Sequence, residues 1–198
     1  RERFSVTMSG HETILRPFPI SVDFEGISEI AGSEKVVEVK NALIEEFQLS
    51  GKRVLLGVDR IDYTKGIPER ISGVDRFFEK HPEFRGKVVF LQIGELSRLH
   101  IQRYKDLNDE INARVEEVNW KYSTDNWKPV ILVRRHLTFV ELLALHRLSE
   151  AALITSLHDG MNLVAKEFVS ARSDNKGVLI LSQFTGASRE LTDAVLVN

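Results

Sequence analysis

Residues 53–66 read Arg53-Val54-Leu55-Leu56-Gly57-Val58-Asp59-Arg60-Ile61-Asp62-Tyr63-Thr64-Lys65-Gly66. The first six residues, Arg53–Val58, are a short and nearly continuous apolar run. The run lacks the polar-apolar alternation of a half-exposed strand, so it predicts one buried on both faces, as in a parallel sheet. The next eight, Asp59–Gly66, are mostly polar, with two cations, two carboxylates and a closing glycine. Pro68–Lys80 follows with helical periodicity, and its proline sits in the first turn, where the missing N–H has no helical partner to lose. The stretch therefore reads as strand, polar loop and helix.

The same unit recurs outward in both directions. Apolar runs lie at Lys87–Ile93, Val130–Val133, Ala152–Thr155, Val178–Leu181 and Ala194–Val197. Helical patterns lie between them. Ser33–Leu49 has Ser33 as its N-cap candidate and Gly51 beyond its end. Arg98–Lys121 is long, charged and amphipathic. Thr138–Leu148 opens with Thr138 and Glu141 at capping-box spacing. Asn162–Arg172 opens with a cap candidate of its own. Alternation of strand and helix predicts an α/β domain with a doubly wound, mainly parallel Rossmann-like sheet. Residues 1–32 break the rhythm. Arg16-Pro17-Phe18-Pro19 reads as extended, because each proline disfavours helix before it. The predicted division is a connector over 1–32 and a ligand-binding domain over 33–198. The chain opens without Met and stops just after an apolar run, so both ends are expected to be cuts through a longer protein.

Composition narrows the class. Charged residues make up 28% and hydrophobic residues 42% of 198 residues, an ordinary globular balance. A net charge of -2 argues against a nucleic-acid partner, which would call for a basic excess. The sequence has no cysteine, which excludes disulfides, thiolate metal sites and cysteine nucleophiles and fits a cytoplasmic protein. No apolar run approaches the roughly 20 residues that span a bilayer, so no membrane partner is expected. The first residues, Arg-Glu-Arg-Phe-Ser, lack signal-peptide features.

In open α/β sheets, ligands bind beyond the carboxyl ends of the strands. Polar residues gather after each predicted strand: the Asp59–Gly66 segment; Gly94-Glu95-Leu96-Ser97-Arg98; Arg134-Arg135-His136; Ser156 to Asn162; and Ser182 to Ala187. Arg60 and Lys65 offer two positive charges to a diphosphate, one as a planar fork and one as a point charge. Asp159-Gly160-Met161-Asn162 runs into a helix whose first amides and dipole favour phosphate. Gly160 would let backbone approach a ligand closely. Leu163 and Glu167 share a helix face, and a carboxylate one turn in can accept sugar hydroxyls. No G-x-G-x-x-G, P-loop, H-E-x-x-H or G-x-S-x-G motif is present, which disfavours dinucleotide, NTPase, zinc and serine-hydrolase chemistry. The residues by themselves point to a doubly wound domain that binds a phosphorylated ligand.

These segments also resemble a known family. Gly57 to Arg70, Asp159 to Glu167, and Leu179–Ala187 continuing to Glu190-Leu191 are similar to the trehalose-6-phosphate synthases, as are Gln92-Ile93 and Ser97-Arg98. The resemblance runs from about Arg53 to Asn198. It implies two Rossmann-like domains facing across a cleft, the GT-B architecture, with this chain in the C-terminal, donor-binding half. It further implies transfer of glucose from UDP-glucose to glucose-6-phosphate with retention, giving α,α-trehalose-6-phosphate without a metal or cofactor. The expected partners are the nucleotide sugar, a sugar phosphate, the missing N-terminal domain of the same chain, and a possible second copy. Carried over by position, Arg60 and Lys65 contact the donor diphosphate. Asp159 holds donor hydroxyls beside Gly160, Met161 and Asn162. Leu163 and Val164 offer amides, Glu167 binds ribose, Ile93 and Leu137 border the base, and Arg98 reaches the acceptor phosphate. Gly94-Glu95-Leu96, Arg134 to Leu137, and Leu157-His158 depart from the family pattern. Another acceptor, or a regulatory nucleotide-sugar domain, therefore remains an alternative.

Overall fold

The computed structural model describes residues 4–96, 98 and 100–198. The chain begins with an antiparallel hairpin, β1 (Phe4–Met8) and β2 (His11–Leu15). Two helices follow, α1 (Phe24–Ala31) and α2 (Glu34–Glu46). Then strands and helices alternate: β3 (Arg53–Arg60), α3 (Ile67–Lys80), β4 (Val88–Glu95), α4 (Gln102–Tyr122), β5 (Val130–Val133), α5 (Phe139–Leu148), β6 (Ala151–Ile154), α6 (Leu163–Ala171), β7 (Val178–Ser182) and β8 (Val195–Val197). The six later strands form one parallel sheet in the order β5-β4-β3-β6-β7-β8.

That order is the doubly wound one. From β3 the chain steps outward through β4 to β5, returns to the other side of β3, and steps through β6 and β7 to β8. Crossovers between parallel strands are right-handed, so a change of direction moves the connecting helices to the opposite face. The helix contacts follow: α3 packs on α4, whereas α1, α2, α5 and α6 pack among themselves. The reversal lies between β3 and β6. The helices that follow those two strands, α3 and α6, lie on opposite faces, which sets a crevice at the carboxyl edge of the sheet.

Local chemistry agrees with the expected boundaries. Ser33 caps α2 by accepting from the amide of Val36, and Asn162 caps α6 by accepting from Ala165. Thr138 and Glu141 make a reciprocal capping box at the head of α5. The largest difference is at the head of the long helix. The long helix starts at Gln102 rather than Arg98, since Arg98 has φ 50, outside the helical region.

Residues 1–32 are more structured than an extended connector. Ser9 and Gly10, at φ 50 and 80, make the two-residue turn of the hairpin. Asp23 caps α1, and Ile27 and Ala31 of that helix are buried in the main core. Among the described residues before α2, the longest stretch without regular structure is Arg16 to Asp23, which contains both prolines of this region. Among the described residues, no helix is long and apolar enough to cross a membrane.

The core holds a titratable group. His146 of α5 is 1% exposed, packs edge-on against Phe168 of α6, and has no hydrogen-bond partner for either ring nitrogen among the described residues. Burial, with the nearby charge of Arg172, pushes its pKa down to about 4 from the usual 6.5. The unfolded ring takes up a proton below 6.5 and the folded ring resists to about 4. The stability contributed by the neutral ring is therefore complete above 6.5 and lost as pH falls through that window. Moving from pH 7 to pH 5 should cost about 2 kcal/mol through this group. Urea unfolding of wild type and His146→Leu at both pH values checks this, and equal pH dependence in the two proteins would refute it.

Candidate functional site

The base of the site is a buried ion pair. Asp59 lies near the end of β3 and Arg70 in the first turns of α3, and Arg70 Nη1 donates to Asp59 Oδ2 at 2.6 Å. The guanidinium also donates to Gln92 Oε1 of β4 at 2.8 Å, to Thr155 Oγ1 just past β6 at 2.9 Å, and to the carbonyl of Lys65 at 3.2 Å. Burial pushes the Asp59 carboxyl up, against the pull of Arg70. Sequence reasoning passed over Arg70. The available signal was an Asp and a Gln within the apolar stretches of β3 and β4, since buried polar groups require partners.

Above this base the loop after β3 turns through a 3₁₀ segment, Tyr63–Lys65, capped by Asp62. Gly66 ends it at φ 64, and a Cβ there would sit 2.5 Å from the carbonyl of Thr155. Glycine is therefore required for the loop after β3 to lie against the loop after β6. Thr64 completes the contact, its carbonyl accepting from the amides of Leu157 (2.8 Å) and His158 (3.2 Å).

This contact brings Lys65 to the head of α6. Lys65 Nζ donates to Asp159 Oδ2 at 2.6 Å, and Asn162 Nδ2 donates to the same oxygen at 3.0 Å. Burial alone would raise the Asp159 pKa, but Lys65 and Asn162 outweigh it and hold the carboxyl below its ordinary range. The loop after β7 closes the far side, the amide of Gly186 donating to the carbonyl of Asp159 and the amide of Asp159 donating to the carbonyl of Phe184. Gly186 has no room for a Cβ, which would strike the carbonyl of Gly160. Gly160 differs, because a Cβ there would meet nothing within 4 Å. Its bare backbone faces open space. A cavity of about 810 Å³ lies here, lined by Asp159, Gly160, Met161, Gly186 and, from the stretch before α1, Pro17 and Ile20. Buried Lys166 pins that stretch, reaching the carbonyl of Ile20 (3.2 Å) and Glu190 (2.8 Å).

The remaining expected residues sort into distinct settings. Asn162 uses its side-chain oxygen on Ala165, and the first amides of α6, those of Leu163 and Val164, have no intrahelical partner among the described residues. Glu167 is half-buried one turn further in, and burial raises its pKa. Arg60 is exposed at the end of β3, level with Glu95 of β4, and among the described residues it does not join the Lys65–Asp159 cluster. Arg98 is exposed and donates to the hydroxyl of Tyr104 at 2.9 Å; its neighbour Ser97 lies outside the described residues. Ile93 and Leu137 are 4% and 5% exposed and belong to the core, so only their backbone can border a ligand. Two cations grouped with the site are scaffold instead. Arg134 is held by Asn108 and Asn112 of α4, and Arg135 by Glu46 and Glu141. His136 faces Glu95 at 3.1 Å. Among the described residues, no three carboxylates or histidines gather as metal ligands.

A sheet of this winding, with an ammonium and open helix amides at its switch point, defines a Rossmann-like domain of the kind that binds phosphorylated ligands. The chain belongs to glycosyltransferase family 20, whose profile matches residues 1–198. It is 40% identical over 182 residues to the alpha,alpha-trehalose-phosphate synthase (UDP-forming) A of Dictyostelium discoideum, covering 91% of this chain and 24% of that protein. It is 44% identical over 184 residues to the corresponding UDP-forming synthase of Encephalitozoon cuniculi, covering 93% and 40%. Its fold matches that of an alpha,alpha-trehalose-phosphate synthase (UDP-forming) from Burkholderia xenovorans in complex with glucose-6-phosphate, with TM-score 0.93 and 32% identity over 100% of this chain and 43% of that one. An E. coli structure bound with UDP-2-fluoro glucose matches at TM-score 0.87 and 34% identity, over 99% and 45%. The sheet is thus the Rossmann-like half of a GT-B fold. The chain spans less than half the length of each of these proteins.

Arg70→Met leaves Asp59 buried without its cation and should lower unfolding stability by about 3–5 kcal/mol. Chemical denaturation checks this, and a loss under about 1 kcal/mol would show that the pair does not organise the site.

Proposed function

We propose that this chain is the donor-binding part of a retaining glucosyltransferase that moves glucose from UDP-glucose to glucose-6-phosphate, giving α,α-trehalose-6-phosphate. The observation that carries the proposal is the 2.6 Å contact between Lys65 and Asp159 directly before the open end of α6. It sets a cation for phosphate, a carboxylate for sugar hydroxyls and unpaired amides within one small volume.

The roles follow from charge and geometry. Breaking the bond between the anomeric carbon and the diphosphate leaves negative charge on the departing phosphate oxygen. Lys65 and the positive end of α6 are fixed before the reaction, so they stabilise that charge with little reorganisation. Arg60, exposed at the same edge, adds a second cation. Asp159, held ionised, accepts from the glucose hydroxyls, and Glu167 accepts from the ribose. The amides of Leu163 and Val164 face the phosphates, while Gly160, Met161 and Asn162 give the sugar a backbone wall. Ile93 and Leu137 present backbone to the base, and Arg98 reaches the acceptor phosphate. Charge on the diphosphate is met by side chains and helix dipole, so the scheme calls on no metal or cofactor. The acceptor half comes from the N-terminal domain of the same protein, which acts in the cytoplasm. A second reading, with a different phosphorylated acceptor, is favoured by Glu95, whose carboxylate stands level with Arg60 and faces His136.

In the full chain, Lys65→Ala and Arg60→Ala should each lower kcat by roughly 100-fold or more with UDP-glucose and glucose-6-phosphate. Turnover within about twofold of wild type would reject the electrostatic assignment. Glu167→Gln should weaken UDP-glucose binding about tenfold in calorimetry while leaving glucose-6-phosphate binding unchanged. Equal loss for both ligands would show that the residue does not read the nucleoside.

A further inference from the structure

The charged side chains of the proposed site come mainly from the loops after β3, β4 and β6. The loop after β3 touches the loop after β6 through Thr64. The loop after β4 is tied in by a different group, the hydroxyl of Tyr104 in the first turn of α4. Tyr104 is 3% exposed. Its hydroxyl donates to Asp62 Oδ2 at 2.9 Å and accepts from Arg98 Nη1 at 2.9 Å. The direction is fixed by chemistry, because a guanidinium can only donate and a carboxylate only accept, so the phenolic proton must point at Asp62. The other oxygen of Asp62 accepts from Thr64, from the amide at 2.9 Å and the hydroxyl at 2.8 Å. Burial opposes ionisation of Asp62, yet the hydrogen bonds from Thr64 and Tyr104 and the charge of Arg98 hold its carboxyl below the ordinary range. The Tyr63 ring meets Tyr104 edge to face at 5.8 Å, and Arg103 stacks on Tyr63 at 3.8 Å. The backbone at Arg98 is left-handed, which a non-glycine residue holds only where surrounding contacts impose it.

We propose that Tyr104 is a positioning residue, whose hydroxyl locks Arg98 to the Asp62–Thr64 turn and so sets the acceptor-phosphate arm in register with the donor arm at Lys65. The relay runs Arg98, Tyr104, Asp62, Thr64 and then the backbone of Leu157 and His158, one residue before Asp159. Arg98 alone is an exposed side chain with rotamer freedom to lose, and the bond to a buried phenol removes part of that loss before substrate arrives. Tyr104 touches no reacting atom and acts through Arg98. The inference rests on the functional reading above, in which Arg98 serves the acceptor.

The test is Tyr104→Phe in the full chain, which deletes one oxygen and keeps the buried ring. KM for glucose-6-phosphate should rise about tenfold. KM for UDP-glucose, kcat at saturation and melting temperature should stay close to wild type. For the acceptor KM, Arg98→Ala combined with Tyr104→Phe should be no worse than Arg98→Ala alone, because the hydroxyl reaches the acceptor only through that arginine. Unchanged acceptor KM, equal losses for both substrates, or additive effects in the double variant would overturn the proposal. Amide exchange across residues 60–66 gives an activity-independent reading, and it should quicken in Tyr104→Phe; no change there would overturn the relay too. If the wild-type full chain transfers no glucose at all, the functional reading fails, and the exchange comparison still decides the relay.

Discussion

The arrangement of the site depends on one buried cation. Arg70 is satisfied on every side, by Asp59 from β3, Gln92 from β4, Thr155 from the exit of β6 and the carbonyl of Lys65. A buried ion pair adds little net stability, since desolvation consumes most of the Coulomb gain. What it supplies is discrimination among arrangements. Any shift of strand ends that separates Arg70 from Asp59 leaves a charge unpaired in a low dielectric, which is far more costly than a lost apolar contact. The carboxyl ends of the three central strands are therefore set relative to one another, together with the backbone of Lys65. Gly57 shows how tightly this is packed, because a Cβ at that position would collide with Gln92 and Arg70.

Exposure rises in steps from that base. The Arg70 and Asp59 side chains are 1% and 3% exposed, and those of Lys65 and Asp159 are 18% and 15%. Arg60 and Arg98 are exposed. The buried layer fixes geometry, the middle layer keeps two opposite charges ready against each other, and the outer layer offers cations to solvent. Lys65 and Asp159 are paired with each other. Under the proposed function, a diphosphate sugar would exchange that ion pair for two sets of contacts, phosphate on the ammonium and hydroxyls on the carboxylate, which suits a ligand carrying both kinds of group.

Much of the scaffold was legible from residue type and spacing. Continuous apolar runs located the six parallel strands, and Ser33, Thr138 with Glu141, and Asn162 marked helix starts that the structure confirms as caps. Local rules suffice there because caps and buried strands satisfy backbone groups close in sequence. The first 32 residues were harder. The hairpin pattern is only five residues per strand, and the eight-residue α1 is recognisable as core only once α5 and α6 are present to cover Ile27 and Ala31. Within the site, the proximity of Lys65 to the Asp159 loop followed from the winding rule. The pairing of Arg70 with Asp59 did not, since no local pattern tells a cation in the first turns of a helix to point inward.

The sorting of cations makes the same point. Arg134 and Arg135 follow a strand just as Arg60 does, and by sequence all three stand among the polar residues gathered at the strand ends. Arg134 and Arg135 follow β5, the edge strand, where α4 on one side supplies Asn108 and Asn112, and α2 and α5 supply Glu46 and Glu141. Arg60 follows β3, beside the reversal of winding, where neighbouring helices diverge. A cation at an edge strand is close to helix side chains that can hydrogen-bond or pair with it, whereas a cation at the switch point lies beside the crevice. Position in the winding, more than residue type, therefore decides which charges remain for a ligand, and it can be inferred from strand order before any side chain is placed.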